Sequence, residues 1–464
     1  MSEQVVVNKP NRIFLISYEF CFSTYSGNGI LARSLVKSLL QQGCQVTVWC
    51  ARPPPCDGLG SNGKDHPIEV PEVSHDEKNR LSVLHTTISS RSLWHRLDDG
   101  SAWAEFVWES LSASFATTAL EAMTKSSAII VIDWTGHHAW TTTPFCGSNG
   151  NSNPPGKKTL VYMNFRVFSS GVKDEAKRKW YDEKECAAVQ QADLVVALSE
   201  KDKASLLEMQ PKDQEKSLTI HVLVPPLRND METLAAKHAR GDTTTQFFLD
   251  HLPPDALKAL NRAKDAGNAG KCFVTCVVRI SPEKNTLRFV RFVKKMKSFF
   301  SERNWIPLLA GSESDGAYSK QVKRELTTVC GDDCVILDSF LPPESLAAVF
   351  GFAVLNFHPC SYDAYGMTTI EAAGMACPSI IAAGNCIGSS KHIGNGASIE
   401  VDFEDVHHID QISGEAISKL RDTLEDSNLL DITGLEARNR ALAWGEEAYG
   451  IALLDCIAKI RLHP

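Results

Sequence analysis

Two carboxylates, Asp363 and Glu371, lie eight positions apart on either side of Gly366. On one continuous helix this spacing would give about 12 Å of rise and roughly 80° of rotation, so the two acids would not share a face. We therefore place Asp363 in a loop before a helix and Glu371 about one turn inside it. The N-terminus of that helix carries free backbone N–H groups, which attract anions. This pattern fits a ligand with hydroxyl groups at both ends and phosphates in the middle, as in a nucleotide-sugar.

Two cations, Arg279 and Lys284, come directly after the apolar run Cys272–Val278, which is typical of a buried strand. When a nucleoside diphosphate leaves, charge grows on its β-phosphate, and two fixed cations at a strand end would stabilise that charge. Each charge-assisted hydrogen bond of this kind contributes about 1.5–3 kcal/mol. The alternative is a surface pair near a turn, with Lys284 bound to an acid.

A glycine loop with the sequence SGNG follows the first strand-like run, Arg12–Ser17, and contains Gly27, Asn28 and Gly29. Glycines allow the backbone to approach a ligand closely and to adopt positive φ angles. The loop lacks the GxGxxG spacing of a dinucleotide-binding fingerprint. It is therefore either a phosphate or acceptor loop, or a tight turn without a ligand.

The stretch from His358 to Pro378 reads HPCSYDAYGMTTIEAAGMACP. It resembles the acid-x7-acid signature of retaining glycosyltransferases with the GT-B fold, in the large group 1 or family 4 type. The matching positions are Pro359, Asp363, Tyr365-Gly366 and Glu371-Ala372. Asp363 departs from the family pattern, because the usual residue is Glu, which is one methylene longer.

A second stretch, VVRISPEKNT, resembles the family's Gly-Arg…Pro-Glu-Lys segment, with Val278 in place of the glycine. The resemblance implies that Arg279 and Lys284 bind the diphosphate of the donor. It further implies roles for backbone amides near Gly366 and Met367 at the phosphates, Glu371 at the ribose, Asp363 at the sugar, and Gly311 near the base or ribose. The implied donor is a UDP- or GDP-sugar, and no metal, cofactor or protein nucleophile is implied.

The first half of the chain offers weaker candidates. In the family, a histidine close to the transferred sugar often follows a strand like Ala128–Ile132, and His137 or His138 could fill that place; a capping or loop histidine is the alternative. Arg166 follows another strand-like run and could face the acceptor. The acceptor itself, whether glycan, lipid or small molecule, cannot be deduced from these residues.

The order of apolar runs and amphipathic stretches predicts strand–helix–strand units with parallel sheets in both halves. The resulting fold class is α/β, with two Rossmann-like doubly wound domains facing a cleft, which is the GT-B fold. The boundary is expected near Pro225-Pro226, because proline interrupts regular structure. We expect an acceptor-side domain at 1–225, joined by the C-terminal helix 447–464, and a donor-side domain at 226–446. The crossing of the last helix is implied by the resemblance.

Composition narrows the class of protein. The chain has 464 residues, 43% of them hydrophobic, and a net charge of −8, which opposes binding to nucleic acid or anionic lipid. The N-terminus lacks the pattern of a secretory signal, and no apolar window reaches the roughly 18 residues of a membrane span. Membrane-surface contact is not indicated. Several of the fourteen cysteines lie within apolar runs, and their spacing is not that of a zinc site. A reducing, cytoplasmic location is therefore expected.

The sequence predicts a retaining, metal-independent hexosyltransferase. A phosphorylase-like or epimerase-type GT-B enzyme is a second class, although a recognisable pyridoxal-lysine motif is absent from the sequence. A third is a catalytically impaired nucleotide-sugar-binding protein, favoured by Asp363, by Val278 and by the irregular glycine loop.

Overall fold

The structure is a computed structural model that describes residues 10–20, 27–52, 73–87, 113–142, 158–169, 174–209, 220–268, 270–313, 316–384, 386–403 and 412–462. The chain forms two compact units. Unit 1 comprises Met1–Pro225 and Glu446–Pro464, and unit 2 comprises Pro226–Gly445. Each unit has its own parallel sheet.

Unit 1 is built on a seven-stranded parallel sheet in the order β3-β2-β1-β4-β5-β6-β7. Its strands are β1 Arg12–Ser17, β2 Gln45–Arg52, β3 Leu81–Thr87, β4 Ala128–Ile132, β5 Thr159–Asn164, β6 Leu194–Ala197 and β7 Ile220–Val222. Its helices before the linker are α1 Gly27–Gln41, α2 His75–Lys78, α3 Ala113–Lys125, α4 Asp133–Thr142, α5 Glu175–Gln191 and α6 Glu200–Glu208.

Unit 2 is built on a six-stranded parallel sheet in the order β10-β9-β8-β11-β12-β13. Its strands are β8 Phe273–Val277, β9 Ile306–Ala310, β10 Val335–Leu337, β11 Ala353–Phe357, β12 Ser379–Ala382 and β13 Ile399–Val401. Its helices are α7 Asn229–Ala239, α8 Thr245–His251, α9 Pro254–Asp265, α10 Thr286–Glu302, α11 Gly316–Cys330, α12 Pro343–Gly351, α13 Met367–Gly374, α14 Ser390–Ile393, α15 Gly414–Glu425 and α16 Ser427–Ala443. The last helix of the chain, α17 Glu446–Leu462, belongs to unit 1 and packs on α1.

The strands that read as continuous apolar runs are confirmed. β1 and β4 have the predicted bounds, because strands buried on both faces are largely apolar. The strands β3, β7 and β13 were not predicted. LSVLHTT in β3 mixes polar and apolar residues, and β7 and β13 have three residues each, too few for a periodic signal.

Two predicted loops are helical. Helix α1 begins at Gly27 and not at Ile30, so Gly27, Asn28 and Gly29 form its first turn. Helix α4 begins at Asp133, directly after β4, so the segment with His137 and His138 is not a loop. Both sequences are poor in helix formers, and the contact of Asn28 with Asp133 joins these two helix starts.

The two sheets have the same strand order around the first strand of each unit, β1 in unit 1 and β8 in unit 2. In unit 1 the strand order reverses direction between β1 and β4, and in unit 2 it reverses between β8 and β11. Ligands of open α/β sheets bind beyond the carboxyl ends of the strands at such switch points. The fold therefore points to the residues after β1 and β4, and after β8 and β11.

Aromatic packing fixes β11, which leads into the acidic motif. Phe357 at its end stacks on Phe292 of α10, with ring centroids 4.6 Å apart and an interplanar angle of 13°. Both side chains belong to the buried core of unit 2. Among the helices that the structure describes, none is both long and apolar enough to cross a membrane.

Candidate functional site

The start of helix α13 lies within the acidic motif. Gly366 has a φ angle of 80° and is the N-cap, a conformation that favours glycine. Thr369 returns to it, because its amide and its Oγ1 both donate to the Gly366 carbonyl, at 3.0 and 2.6 Å. As the spacing predicts, Asp363 precedes the helix and Glu371 lies inside it. The first N–H groups of α13 have no partner within the helix itself, which suits an anion.

A second loop holds the segment that carries Asp363. The amide of Asp363 donates to the Cys386 carbonyl at 3.1 Å, the Gly388 amide donates to the Asp363 carbonyl at 3.0 Å, and the Ser389 amide donates to the Tyr365 carbonyl at 2.7 Å. Gly388 comes so close that a Cβ atom there would lie 2.0 Å from the Ala364 carbonyl oxygen. The loop after β12 therefore fixes the backbone of Asp363 on both sides.

The side chain of Asp363 is the centre of a charge cluster. Lys284 Nζ donates to Asp363 Oδ2 at 2.6 Å, and His358 Nε2 lies 3.3 Å from the same oxygen. Cys360 Sγ is 3.8 Å from it. His358 is buried, whereas the side chains of Lys284 and Asp363 are 23% and 16% exposed. The Lys284–Asp363 pair is therefore within reach of a ligand in solvent.

The charges in this cluster shift one another's pKa values. Burial raises the pKa of Asp363, but the Lys284 ammonium and His358 outweigh it and hold that pKa well below its usual range. Burial lowers the pKa of Lys284, but Asp363 reverses this and raises it above its ordinary value. For His358, burial is outweighed by Cys360 and Asp363, which raise its pKa to about 9. Near neutral pH the cluster contains two cations around one carboxylate.

Lys284 is positioned by a short turn that is bound to the acidic motif. A 3-10 turn, Pro282–Lys284, ends at Asn285, whose φ of 51° is left-handed. Asn285 Nδ2 donates to Ser361 Oγ at 3.3 Å, and buried Arg288 donates to the Pro359 carbonyl at 2.6 Å. Side-chain hydrogen bonds thus join the segment that carries Lys284 to the motif loop, which lies some 80 residues later in the chain.

The other predicted donor residues of β8 and β9 are placed differently. The guanidinium of Arg279 pairs with Glu283, and both side chains are about two-fifths exposed. Gly311 follows β9 with a φ of 154°, and a Cβ atom there would lie 1.9 Å from the Val278 carbonyl oxygen. The glycine is needed for this close approach of two chain segments.

Glu371 does not share the cluster of Asp363. It is 4% exposed, and its Oε1 lies 3.1 Å from Nε of Arg228, which also approaches Asp230 Oδ1 at 2.9 Å. Burial raises the pKa of Glu371, Arg228 lowers it in part, and Asp230 raises it. The two acids of the motif thus have separate cationic partners. Sequence reasoning missed Arg228, because its pairing depends on tertiary structure and leaves no local pattern.

In unit 1 the corresponding position after β4 is occupied by Asp133. It is buried, has a φ of 53°, and accepts hydrogen bonds from Asn28 Nδ2 at 2.8 Å and from the Phe165 amide at 2.7 Å. Burial raises its pKa well above the usual value, and Glu185 and Glu19 raise it further. A non-glycine residue in this strained conformation is uncommon outside functional or tightly determined positions. Sequence reasoning treated Asp133 only as a neighbour of the histidines.

The remaining candidate site residues of unit 1 lie against other parts of the protein. His137 is 3% exposed and its Nε2 lies 3.2 Å from Gln191 Oε1, while burial lowers its pKa to about 4. Burial likewise lowers the pKa of half-buried His138 to about 4. Arg166 lies over the ring of Phe168, at 5.6 Å from its centroid. These roles remain predictions.

Two further polar residues of unit 1 have structural roles. Ser199 caps α6 by accepting from the Asp202 amide. Glu185 is buried and accepts from the Phe168 amide and from Ser169 Oγ, both at 2.6 Å, so its role is structural.

The types of side chain around Asp363 also occur in metal sites. His358, Cys360 and Asp363 each offer an atom within 4.8 Å of the others. However, the Lys284 ammonium lies 2.6 Å from Asp363 Oδ2, and it would repel a metal cation bound to that oxygen. We therefore interpret the group as an ion-pair cluster.

Comparisons with known proteins identify the fold. No protein-family model matches the chain, and no curated protein matches its sequence. Among solved structures, it is similar to sucrose-phosphate synthase from Thermosynechococcus elongatus, with 18% identity, a TM-score of 0.65, and coverage of 98% of this chain and 100% of that one. A structure from E. coli, described as trehalose-6-phosphate bound with UDP-2-fluoro glucose, matches with 12% identity, a TM-score of 0.67, and coverage of 97% and 99%.

A third similar structure is HepE from Anabaena in complex with UDP and glucose, with 12% identity, a TM-score of 0.61, and coverage of 97% and 99%. These identities are low, so the likeness concerns the fold. Together with the two parallel α/β sheets, it shows that this chain has the GT-B fold, built from two Rossmann-like units. The predicted fold class is confirmed.

Proposed function

We propose that this chain is a glycosyltransferase that moves a sugar from a nucleoside-diphosphate donor to a hydroxyl acceptor, with retention at the anomeric carbon and without a metal ion. The donor would bind to unit 2. The observation that carries the proposal is the partly exposed Lys284–Asp363 pair at the switch point of the sheet. Asp363 lies three residues before Gly366, the N-cap of α13.

In the proposed complex, the diphosphate accepts hydrogen bonds from Lys284 and from the first amides of α13, at Gly366 and Met367. Arg279 lies five residues before Lys284 on the same connection and adds a second cation after exchange with Glu283. Glu371 accepts from the ribose hydroxyls through the oxygen that Arg228 leaves open, and Asp363 accepts from a hydroxyl of the sugar. Gly311 approaches the base or ribose. The donor is a UDP- or GDP-sugar.

The chemistry needs little from the protein beyond binding and charge stabilisation. The bond between the anomeric carbon and the β-phosphate oxygen breaks, and the acceptor oxygen forms its bond on the same face of the sugar. The acceptor proton passes to the departing phosphate oxygen. Lys284 and the α13 amides stabilise the charge that develops on that phosphate. Unit 1, with Gly27–Gly29 and Arg166, is assigned to the acceptor side.

A second candidate function is binding of a nucleotide-sugar without transfer. Two observations favour it: Lys284 and Glu371 are both engaged by protein charges, and Asp363 is one methylene shorter than the residue usual in the motif. In this reading the ligand would need to displace existing ion pairs, and the sugar would be held too loosely for reaction.

A donor screen separates these functions. UDP-, GDP- and ADP-sugars would be tested for binding by calorimetry and for release of the nucleoside diphosphate, first with water and then with a panel of sugar and sugar-phosphate acceptors. We expect one donor to bind below millimolar Kd and to be turned over. Binding without turnover supports the second function, and binding of none below millimolar contradicts both.

A matched control uses the donor that binds best. Lys284→Met keeps the length of the side chain and removes its charge, whereas Lys295→Met removes a lysine of α10 whose Nζ donates to the Ile412 carbonyl at 2.7 Å. We expect donor binding to be lost in the first variant and kept in the second.

A further inference from the structure

His358 is a buried histidine whose hydrogen-bonding capacity is unused. It is 1% exposed, and among the described residues neither of its ring nitrogens has a partner with hydrogen-bond geometry. Its Nε2 lies 3.3 Å from Asp363 Oδ2, on the protein side of that carboxylate. The same nitrogen would lie 3.5 Å from a Cβ atom on Gly366. The ring is thus enclosed between Asp363 and the N-cap of α13.

The Oδ2 atom of Asp363 is approached by two cations. The partly exposed Lys284 forms the short contact of 2.6 Å, and the buried His358 is 0.7 Å farther away. A nucleoside diphosphate carries more negative charge than a carboxylate, so it attracts Lys284 more strongly. A donor that takes Lys284 leaves Asp363 with the buried imidazole as its remaining cationic neighbour among the described residues.

We propose that His358 is the positioning residue that moves into full contact with Asp363 and keeps that carboxylate aimed at the donor's sugar when Lys284 turns to the diphosphate. This inference rests on the proposed function. Asp363 is short and its backbone is fixed by the loop after β12, so its side chain cannot follow Lys284 toward the ligand. The unused Nε2–H of His358 supplies the hydrogen bond that Asp363 loses.

The charge state of His358 supports this role. The charged and titratable groups that face its ring are Asp363 and Cys360, and they raise its pKa to about 9 despite the burial, which lowers it. The imidazolium is therefore present below about pH 9 and is lost as the pH rises through that value. Sugar positioning should weaken over the same range, while binding of the diphosphate by Lys284 should persist.

The test compares His358→Gln with wild type. Gln keeps a donor of similar reach but cannot carry a charge. Calorimetry would measure the Kd of UDP-glucose or GDP-mannose, whichever binds more tightly, and of the matching free diphosphate. We expect the nucleotide-sugar to bind about 10-fold more weakly in the variant, which corresponds to about 1.4 kcal/mol, and the free diphosphate to change less than about 2-fold. His251→Gln, on α8 with its ring bonded to its own helix, is the control and should change neither.

The pH profile distinguishes positioning from a merely structural role. For wild type, the Kd of the nucleotide-sugar relative to that of the free diphosphate should rise above about pH 9, and for His358→Gln this ratio should be flat across that range. Equal losses for sugar nucleotide and free diphosphate, or a variant profile that keeps the wild-type inflection, would overturn the proposal.

A ligand-free measurement keeps the proposal testable if neither nucleotide-sugar binds and the proposed function fails. The loss of Tm caused by His358→Gln would be measured at about pH 7 and about pH 10. A group whose pKa is raised in the fold stabilises below its unfolded pKa, and that stabilisation disappears as the pH passes its folded pKa. We expect a smaller loss at the higher pH. An equal loss would show that the His358–Asp363 contact is not a charge pair.

Discussion

The two switch points of this molecule each hold an aspartate, in opposite electrostatic surroundings. In unit 1, Asp133 is bound by two neutral N–H donors, Asn28 and the Phe165 amide, and burial, with Glu185 and Glu19, raises its pKa. In unit 2, Asp363 is flanked by Lys284 and His358, so its pKa falls. Among the residues that the structure describes, the same topology therefore carries one acid without a paired cation and one with two.

This difference separates two tasks. A carboxyl group bound by neutral donors fixes the backbone, and here it joins the start of α1 to the chain after β5. A carboxylate paired with cations keeps positive charge at the site. An anionic ligand can bind to that charge, because a phosphate can take the place of the carboxylate at the cation. Unit 2 is accordingly the unit to which we assign the donor.

The largest expected contrast is in stability. Asp363→Asn leaves Lys284 and His358 as uncompensated cations, and removing one partner from such a buried group costs about 3 kcal/mol. Asp133→Asn removes a charge whose burial is itself unfavourable and loses one acceptor, so its cost should stay below about 1 kcal/mol. Urea unfolding of the two variants near pH 7 measures both values. Equal losses would erase the distinction between the two sites.

The pH dependence of the two units should also differ. Burial raises the pKa of Glu185 in unit 1 to about 7. The folded state therefore binds more protons than the unfolded state between about pH 4.5 and pH 7, and unit 1 loses on the order of 3 kcal/mol as the pH rises through that window. Asp363 has the opposite sign, because its lowered pKa stabilises unit 2 until the pH falls well below 4.

Hydrogen exchange resolved by peptide mass spectrometry reads the two units separately. After correction for intrinsic exchange, the protection of β4–β6 should fall between pH 5 and pH 8, while that of β8 and β11 should stay constant. Parallel changes in both units would mean that the carboxyl groups do not set the difference.

A smaller effect is expected at Glu371. Glu371→Gln should lower the preference for a ribo- over a deoxyribonucleoside diphosphate by about 1 kcal/mol, because it replaces a charged acceptor of ribose hydroxyls by a neutral one. Calorimetry with UDP and its 2′-deoxy form gives the ratio. Retention of the wild-type ratio would assign Glu371 to Arg228 alone, as a structural pair.

The smallest effect concerns metal ions. If the group of His358, Cys360 and Asp363 is an ion-pair cluster, dialysis against EDTA should change turnover of the selected donor by less than about 2-fold. A larger loss of turnover, restored by Zn²⁺ or Mg²⁺, would show that the cluster in unit 2 functions with a metal ion and not only with the ammonium of Lys284.

The sequence predicts those parts of the fold and of the site that a local residue pattern determines. The apolar runs of β1, β4 and β11 and the placement of Asp363 before helix α13 follow from periodicity and turn chemistry. Pairings across the chain do not. Arg228 reaches Glu371 across 143 positions, and the loop after β12 fixes Asp363 through backbone bonds between segments that are separate in the chain. His358 lies inside the recognised motif, yet its burial against Asp363 depends on packing that spacing alone does not reveal.

The central claim is that Lys284 and the start of α13 bind a diphosphate. Calorimetry of UDP or GDP, whichever binds, and of its parent nucleoside, with wild type and Lys284→Ala, tests it most directly. We expect the variant to lose about 10- to 100-fold in affinity for the diphosphate, or roughly 1.5–3 kcal/mol, and almost nothing for the nucleoside. An equal loss for both ligands, or no loss for the diphosphate, would contradict the account.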